Sequence, residues 1–302
     1  MRRVYVSCTE RVIGERYVSD LVLLDVDSNR VLASRPVVLA IAEKVPGSGR
    51  SRGGRGICWH RGELTFAINS GILETLDPET LQARSRREIP DCSEVHLIRS
   101  HADVLHLCST WTNRVIRING DLVTSNFVLS DELRQFVGAE RAKRPDWQDH
   151  LHFNSIAWNF EGEEFHLYSH PSIIFNWTKK EIMYQGDKLR NAHDLHFLDN
   201  RRLLVNSSWE RKTKLFDTYT RTFKTVYEEP NAVILDLLID HAKTGWLRGL
   251  MVDHSSGLML ISAAPGRLHI LELGSWRVLQ TMEFSTHPHC TPFDIALHPE
   301  DW

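Results

Sequence analysis

The chain has 302 residues, 42% of them apolar, and its 36 Lys and Arg against 39 Asp and Glu leave a formal net charge of −3. This length supports one large β domain or two ordinary domains. The charge argues against nucleic-acid partners, and no apolar run approaches the roughly 20 residues of a membrane span. The opening stretch MRRVYVSCTERVIGER lacks the apolar segment of a secretory signal, and an odd count of five cysteines without a CxxC pair suits reduced thiols. These features predict a cytoplasmic protein without membrane or nucleic-acid partners.

An internal repeat organises the chain. Six segments share a polar pair, an apolar–any–apolar stretch, a polar turn and an alternating strand that ends in Ser or Asn. They begin at residues 55, 93, 154, 193, 248 and 293, with spacings of 38, 61, 39, 55 and 45 residues, which bracket the period of a four-stranded propeller blade. Two more short strands follow each segment, such as 72–77 and 81–88 after the first. With no βαβ pattern, the repeat predicts an all-β fold, a six-bladed β-propeller.

The sixth segment is split. It starts at Phe293 and breaks off at Trp302, while the matching second strand, RRVYVSC, occupies residues 2–8. We therefore expect the C-terminal segment to form an innermost strand that is joined by outer strands from residues 1–36. This arrangement closes the ring and leaves no free sheet edge. It makes residues 1–302 a single propeller domain.

Two inserts and one loop interrupt the repeat. Residues 125–150 predict a short helix that begins after Ser130, and residues 229–247 predict a second helix. The loop 46–56 is rich in Gly and Arg. All three connect the outermost strand of one blade to the innermost strand of the next, so we expect them on one face, where loops on a rigid scaffold usually carry the site.

Polar residues open each innermost strand and end each second strand, so the predicted fold gathers them around the axis on that same face. One interpretation is that they hydrate the channel and cap backbone groups. The other is that they bind a substrate, because arginines that converge on a cleft hold carboxylate, sulfate or phosphate groups. The predicted substrate-binding residues are Arg55, Trp111, Asn154, Asn206 and Arg248.

The chain has sixteen histidines, and three of them fall on this rim in adjacent blades: His152, His170 and His193. Three convergent imidazoles can bind a divalent metal and leave a position open for water or substrate. Alternatively, a histidine held by a neighbour such as Asp194 can transfer a proton. A purely structural part for each ring is the third alternative.

Three acidic residues occupy equivalent positions in alternate blades, namely Glu94, Asp194 and Asp294. Carboxylates that meet near one axis repel each other unless a cation or an arginine lies among them. Arg55 and Arg248 are the predicted neutralising groups, and a bound cation is the alternative.

The stretch HFNSIAWN…HLYSHPSIIFNW…AHDLHFLDNRRLLVNSSWER resembles the bacterial arylsulfotransferases and related six-bladed propeller proteins. The resemblance covers roughly residues 150–217. It implies a His-x-Asn-Ser-Ile strand, a strand end with a histidine, a histidine that opens the next blade and a nearby arginine. The family's nucleophilic histidine corresponds to Arg248 here. The matching positions are His152, Asn154, Ser169, His170, His193 and Arg211.

These features predict a propeller enzyme that acts on a small polar or anionic metabolite at the axial mouth, as a metal- or His-dependent hydrolase or lyase. The predicted catalytic residues are His152, His193, Asp194 and Arg211, and the predicted ligands of one divalent metal ion are His152, His170 and His193. No nucleotide motif occurs, so no nucleotide cofactor is expected. The alternatives are a non-catalytic ligand- or protein-binding propeller and an arylsulfotransferase-like group transferase, and the fold does not choose among them.

Overall fold

The structure is a computed structural model that describes residues 1–13, 16–40, 54–137, 151–170, 172–230, 245–286 and 290–302. The elements in these residues are, in chain order, β1 (Arg3–Ile13), β2 (Arg16–Asp25), β3 (Arg30–Ala40), β4 (Gly54–His60), β5 (Glu63–Ile68), β6 (Ile72–Leu76), β7 (Ala83–Glu88), β8 (Val95–His101), β9 (Val104–Ser109), β10 (Arg114–Asn119), β11 (Leu122–Phe127), α1 (Asp131–Arg134), β12 (Phe153–Trp158), β13 (Glu164–Tyr168), β14 (Ile173–Asn176), β15 (Glu181–Gln185), β16 (Ala192–Phe197), β17 (Arg202–Ser207), β18 (Lys212–Asp217), β19 (Thr222–Glu228), β20 (Leu247–Asp253), β21 (Leu258–Ala263), β22 (Arg267–Glu272), β23 (Val278–Glu283) and β24 (Thr291–Leu297).

These strands form six antiparallel sheets of four strands each, which are the six blades of a propeller. Blades 1 to 5 take four consecutive strands each, namely β4–β7, β8–β11, β12–β15, β16–β19 and β20–β23, and blade 6 has the order β24-β1-β2-β3. The innermost strands β4, β8, β12, β16, β20 and β24 contact one another in sequence around the axis. The prediction of an all-β, six-bladed propeller is confirmed.

The ring is closed by the split sixth segment, whose two parts pair in blade 6. In blade 6, β24 pairs with β1 so that Val4 lies opposite Leu297 and Ser7 lies opposite Asp294. The Arg3 guanidinium adds an ion pair with Asp301, with Nε 2.7 Å from the carboxylate. The two ends of the described chain are therefore held in one sheet, as the repeat predicted.

The hydrophobic core is divided among the blade interfaces. The described residues form six buried clusters, one between each pair of neighbouring blades. Between blades 5 and 6, for example, Val6 and Ile295 pack with Leu260. Because strand side chains alternate, each inner strand contributes apolar residues to the interfaces on both of its sides.

A register shift interrupts the inner edge of every blade, close to the point where the innermost strand begins. Such bulges insert an extra residue, break the alternation and redirect a side chain. The residues at these shifts include Arg55, His96, Asn154, Asp194, Arg248 and Phe293. The shifts gather charged and aromatic groups at one end of the axis, which we call the mouth.

The inserts are described only in part. Helix α1 begins directly after Ser130 as predicted, but it is a single turn without a side-chain cap, and Leu133 anchors it in the cluster between blades 2 and 3. The remainder of that predicted helix, the helix predicted within 229–247 and most of the Arg/Gly loop 46–56 lie outside the described residues.

Candidate functional site

Polar side chains near the ends of the second strands, together with Asn154 of an innermost strand, join blades at five of the six junctions in the described part of the chain. They donate hydrogen bonds to backbone carbonyls of the neighbouring innermost strand, at or close to its bulge. These bonds run from the Ser7 hydroxyl to Arg55 O, from Thr110 Oγ1 to Phe153 O at 2.5 Å, from Asn154 Nδ2, which opens its own strand, to Ala192 O at 2.7 Å, from Asn206 Nδ2 to Arg248 O at 3.0 Å and from Ser262 Oγ to Pro292 O at 3.4 Å.

Four of the predicted site residues lie away from the centre of the mouth or serve the framework. Asn154 and Asn206 are explained by these bonds between blades, and their predicted contact with substrate stays a prediction. Trp111 is buried two residues after the end of β9. Arg211 lies in the turn between β17 and β18, where its backbone bonds to Ser208 and Glu229.

Arg99, which the sequence repeat does not mark, crosses the axis below the mouth. Its Nη2 lies 2.8 Å from Asp194 Oδ1 and its Nη1 lies 3.0 Å from Asp294 Oδ1. The three residues come from blades 2, 4 and 6, so one guanidinium bridges three alternate blades. Two of the three carboxylates that were predicted to meet therefore do so, those of Asp194 and Asp294. The group that neutralises them is Arg99 and not Arg55 or Arg248, and Glu94 is not among the described partners of Arg99.

Backbone amides complete this triad of Arg99, Asp194 and Asp294. Leu250 N donates to Asp194 at 2.9 Å and Ile57 N donates to Asp294 at 2.9 Å. Burial raises the pKa of Asp194 to about 7 and also raises the pKa of Asp294, because one guanidinium cannot offset two buried carboxylates. The triad thus favours the uptake of one proton.

Asp194 was expected to orient one of the rim histidines, but it is not among the described partners of the adjacent His193 ring. Its carboxylate is directed to Arg99 and to two backbone amides, those of Leu195 and Leu250. The Nδ1 atom of His193 instead lies 2.7 Å from Asn191 O and 2.9 Å from Ser208 Oγ. The bulge separates the two neighbouring side chains, so that one belongs to the triad and the other to the mouth.

Two arginines converge at the mouth. The guanidinium carbons of Arg55 and Arg248 lie 4.9 and 4.8 Å from the centre of the Phe293 ring. Arg248 Nη1 also lies 2.8 Å from His193 Nε2. Both arginines are buried, with 1% and 5% of their surface exposed. The structure therefore brings the predicted residues Arg55, His193 and Arg248 together.

A row of imidazoles continues from this group. The His96 ring lies 6.0 Å from that of His193 and 4.8 Å from that of His152, which in turn lies 5.2 Å from that of His170. His96 was not predicted, because it occupies an inner-strand position that a regular alternation would direct into a blade interface. We call the following residues the mouth cluster: Arg55, His96, His152, His193, Arg248 and Phe293.

The buried histidines of the cluster are neutral. Burial, together with the charge of Arg248, holds the pKa of His193 well below its usual range, and burial together with Arg55 does the same for His96. In His193 the contacts of Nδ1 with two oxygens place its proton there, so Nε2 accepts from Arg248.

The predicted metal site does not fit this arrangement. Within the described residues, no group of three or more His, Cys, Asp or Glu side chains is placed to hold a metal ion. The lone pair of His193 Nε2 is directed at the Arg248 guanidinium, and a divalent cation would lie next to two positive charges.

Two cavities lie at opposite ends of the blades. On the mouth face, a cavity of about 460 Å³ is lined by residues that include His170, Asn191 and Trp209. At the opposite end, a cavity of about 640 Å³ is lined by residues that include Arg99 and His196. The Arg99 triad lies between the two ends.

Comparisons with known proteins define the fold and no more. Neither protein-family models nor curated proteins give a match, so no sequence-level finding supports the resemblance to arylsulfotransferases. A protein of unknown function from Bacteroides caccae is similar with a TM-score of 0.63 at 10% identity, covering 99% of both chains. A chain of a nidogen/laminin complex is similar with a TM-score of 0.59 at 11% identity, covering 98% of this chain and 97% of that chain.

Virginiamycin B lyase from Staphylococcus aureus is also similar, with a TM-score of 0.52 at 10% identity, covering 80% of this chain and 73% of that chain. At such identities the likeness shows a shared propeller fold, which hosts unrelated functions. Among the described residues, no helix is long and apolar enough to cross a membrane.

Proposed function

We propose that the mouth cluster binds a small anionic metabolite that carries a carboxylate, sulfate or phosphate group. The observation that carries this proposal is the convergence of two buried guanidinium groups, those of Arg55 and Arg248, on one face of the axis around Phe293. A planar guanidinium offers paired donors that match such oxyanions, and a buried location strengthens the attraction.

The electrostatic surroundings support an anion. The charges of Arg55 and Arg248 both lower the pKa of His96 and of His193. The potential at the cluster is therefore positive. An oxyanion placed here would offset that potential.

His96 gives independent support. It is 1% exposed, and within the part of the chain that the structure describes neither of its ring nitrogens has a hydrogen-bonding partner. A buried polar group without a partner costs about 1–3 kcal/mol. A neutral imidazole can donate one hydrogen bond, so we assign His96 as the donor that an oxyanion would satisfy.

The test is a calorimetric titration of the protein with sulfate, phosphate and acetate. We expect saturable binding of at least one anion, and Arg248→Met and Arg55→Met should each weaken it by about 10- to 100-fold, because each removes a charge-assisted hydrogen bond worth about 1.5–3 kcal/mol. Arg201→Met is the matched control, since the Arg201 side chain is exposed and forms an ion pair with Asp217.

Arg248→Lys separates charge from geometry. It keeps the positive charge but loses the paired donors, so we expect an intermediate affinity. Saturable binding that is equal in the wild type and in both Met variants would place the anion elsewhere and refute the proposal, as would no binding of any anion by the folded protein.

A hydrolase or lyase that acts on this anion is the second candidate. The observation that favours it is the position of His152, whose ring lies between those of His96 and His170. His152 would then act as the general acid or base. With carboxylate, sulfate and phosphate esters in place of the free anions, turnover that His152→Ala abolishes while anion binding persists would support the enzyme. Binding without turnover would support the non-catalytic candidate.

A further inference from the structure

The five cysteines are all buried, reduced thiols, but they fall into two kinds. Burial raises the pKa of the Cys58 and Cys92 thiols to about 12 and raises that of Cys108 well above its usual range. Thiols of this kind remain protonated and are inert. Cys8 and Cys290 are different because they lie next to each other, at the place where the ring closes.

Their positions follow from strand pairing in blade 6. Cys8 in β1 lies opposite Pro292 in β24, and Cys290 lies two residues before that proline, so the two cysteines are diagonal neighbours across the strands. Both belong to the buried cluster between blades 5 and 6, together with Val6. The backbone of Cys290 is also fixed, because its carbonyl accepts a hydrogen bond from Gly266 N at 3.1 Å.

The contacts of Cys290 favour its thiolate. A hydrogen bond from the Cys8 thiol is the largest cause that lowers the pKa of Cys290, and the Ser285 hydroxyl adds to it, against the opposing effect of burial. A thiolate beside a second thiol is the arrangement that resolves a mixed disulfide into an internal one.

We propose that Cys8 and Cys290 are a redox-reactive pair, and that a low-molecular-weight disulfide of the glutathione class oxidises them to an internal disulfide across the ring closure. The Cys290 thiolate attacks one sulfur of the small disulfide, whose S–S bond breaks and releases one small thiol. Cys8 then loses its proton and attacks the sulfur of Cys290, which releases the second small thiol. Two protein thiols are oxidised, and one small disulfide is reduced to two thiols.

The internal disulfide would replace a non-covalent closure by a covalent one. The strands β1 and β24 are held by hydrogen bonds and packing, and a bond between residues 8 and 290 encloses nearly the whole chain. A link across so long a loop restricts the unfolded state strongly, so oxidation should raise the Tm by on the order of 5–10 °C. Because both thiols are buried, the reaction should proceed on local opening and be slower than that of an exposed thiol.

The experiment treats the folded protein with oxidised glutathione, alkylates the remaining thiols and maps the cysteines by mass spectrometry of peptides. We expect a peptide that links Cys8 to Cys290, alkylated Cys58, Cys92 and Cys108, and a higher Tm that dithiothreitol reverses. The Cys8→Ser variant should stop at a glutathione adduct on Cys290. The matched control Cys92→Ser, which changes an equally buried thiol, should form the Cys8–Cys290 link at the wild-type rate.

Three outcomes would overturn the proposal: a link between other cysteines, a stable adduct on Cys290 in the wild type, or no reaction with glutathione while a denatured sample reacts. The peptide map of the wild-type protein decides the matter even where a serine variant does not fold. Anion binding plays no part in this readout, so its outcome is independent of the proposed function.

Discussion

Arg99 reaches the centre of the molecule because carboxylates from two other blades receive its charge. A buried ion needs partners and hydrogen bonds, and Asp194 and Asp294 provide both. Their raised pKa values reflect a triad with one positive and two negative groups. The triad therefore makes folding depend on pH.

The Asp194→Asn variant tests this dependence. The folded pKa of Asp194, about 7, exceeds the ordinary value of 3.8, so the folded state holds the proton more tightly. Its contribution to stability is present below about pH 4 and is lost as the pH rises to about 7. The variant imitates the protonated form. Its free energy of unfolding, measured with urea, should therefore rise relative to that of the wild type by roughly 2–4 kcal/mol as the pH increases from 4 to 7.5.

The prediction compares the free energy of unfolding of the variant with that of the wild type, because buried histidines change stability with pH in the opposite direction. His96, His193 and His196 have lowered pKa values, so their contribution to stability is lost as the pH falls below about 6.5. Asp217→Asn is the control, since the folded pKa of Asp217 is about 2 and it stays ionised across the window. Equal pH slopes in the wild type and Asp194→Asn would contradict the prediction.

Residue types at the mouth were accessible from sequence, but their exact partners were not. Arg55, His193 and Arg248 open innermost strands in the repeat, and that position predicts convergence at the axis. Arg99 and His96 lie inside a strand, and their placement depends on a bulge and on side chains from other blades. The repeat does not encode such contacts, so a part of the site required the structure.

Among the elements, the second strands have two tasks. Their apolar residues pack between blades, and their polar ends hold the neighbouring innermost strand. The alternation that marks these strands in the sequence also made them predictable, whereas the register shifts beside them were not, because a bulge depends on the partner strand. The interpretation that polar residues at strand ends cap backbone groups agrees with the bonds of Thr110 and Asn206 from second strands and of Asn154 from an innermost strand.

Thr110→Val measures one of these links. Valine keeps the shape but removes the donor to Phe153 O, which leaves a buried carbonyl without that partner. We expect a loss of about 1–3 kcal/mol in the free energy of unfolding, measured by urea denaturation. Thr124→Val, on the exposed side of β11, should change it by less than about 0.5 kcal/mol. A loss of similar size in both variants would show that the hydrogen bond to Phe153 O adds nothing to the free energy of unfolding.

At the scale of the whole molecule, stability depends on the contact between β24 and its neighbours. The split sixth segment was predictable because the repeat fixes what a complete blade contains. The order of the blades followed from it, since sequential blades in a propeller are neighbours. What the repeat does not predict is how the last interface is filled.

Ile295→Ala tests that interface. Ile295 is fully buried between blades 5 and 6, so truncation leaves a cavity and should cost about 2–5 kcal/mol of unfolding free energy, with a lower Tm by calorimetry. Val278→Ala on the outer strand β23 is the control, since Val278 is 42% exposed and should cost less than about 1 kcal/mol. A cost for Ile295→Ala no greater than that of the control would mean that the closing strand adds little to the fold.

The position of the Arg99 side chain has one more consequence, which concerns how the blades depend on one another. Because the guanidinium of Arg99 in blade 2 is bonded to carboxylates of blades 4 and 6, an outward movement of blade 2 would break ion pairs with two blades that are not its neighbours. The inner ends of three alternate blades are therefore coupled directly, in addition to the coupling that the hydrophobic clusters provide between adjacent blades.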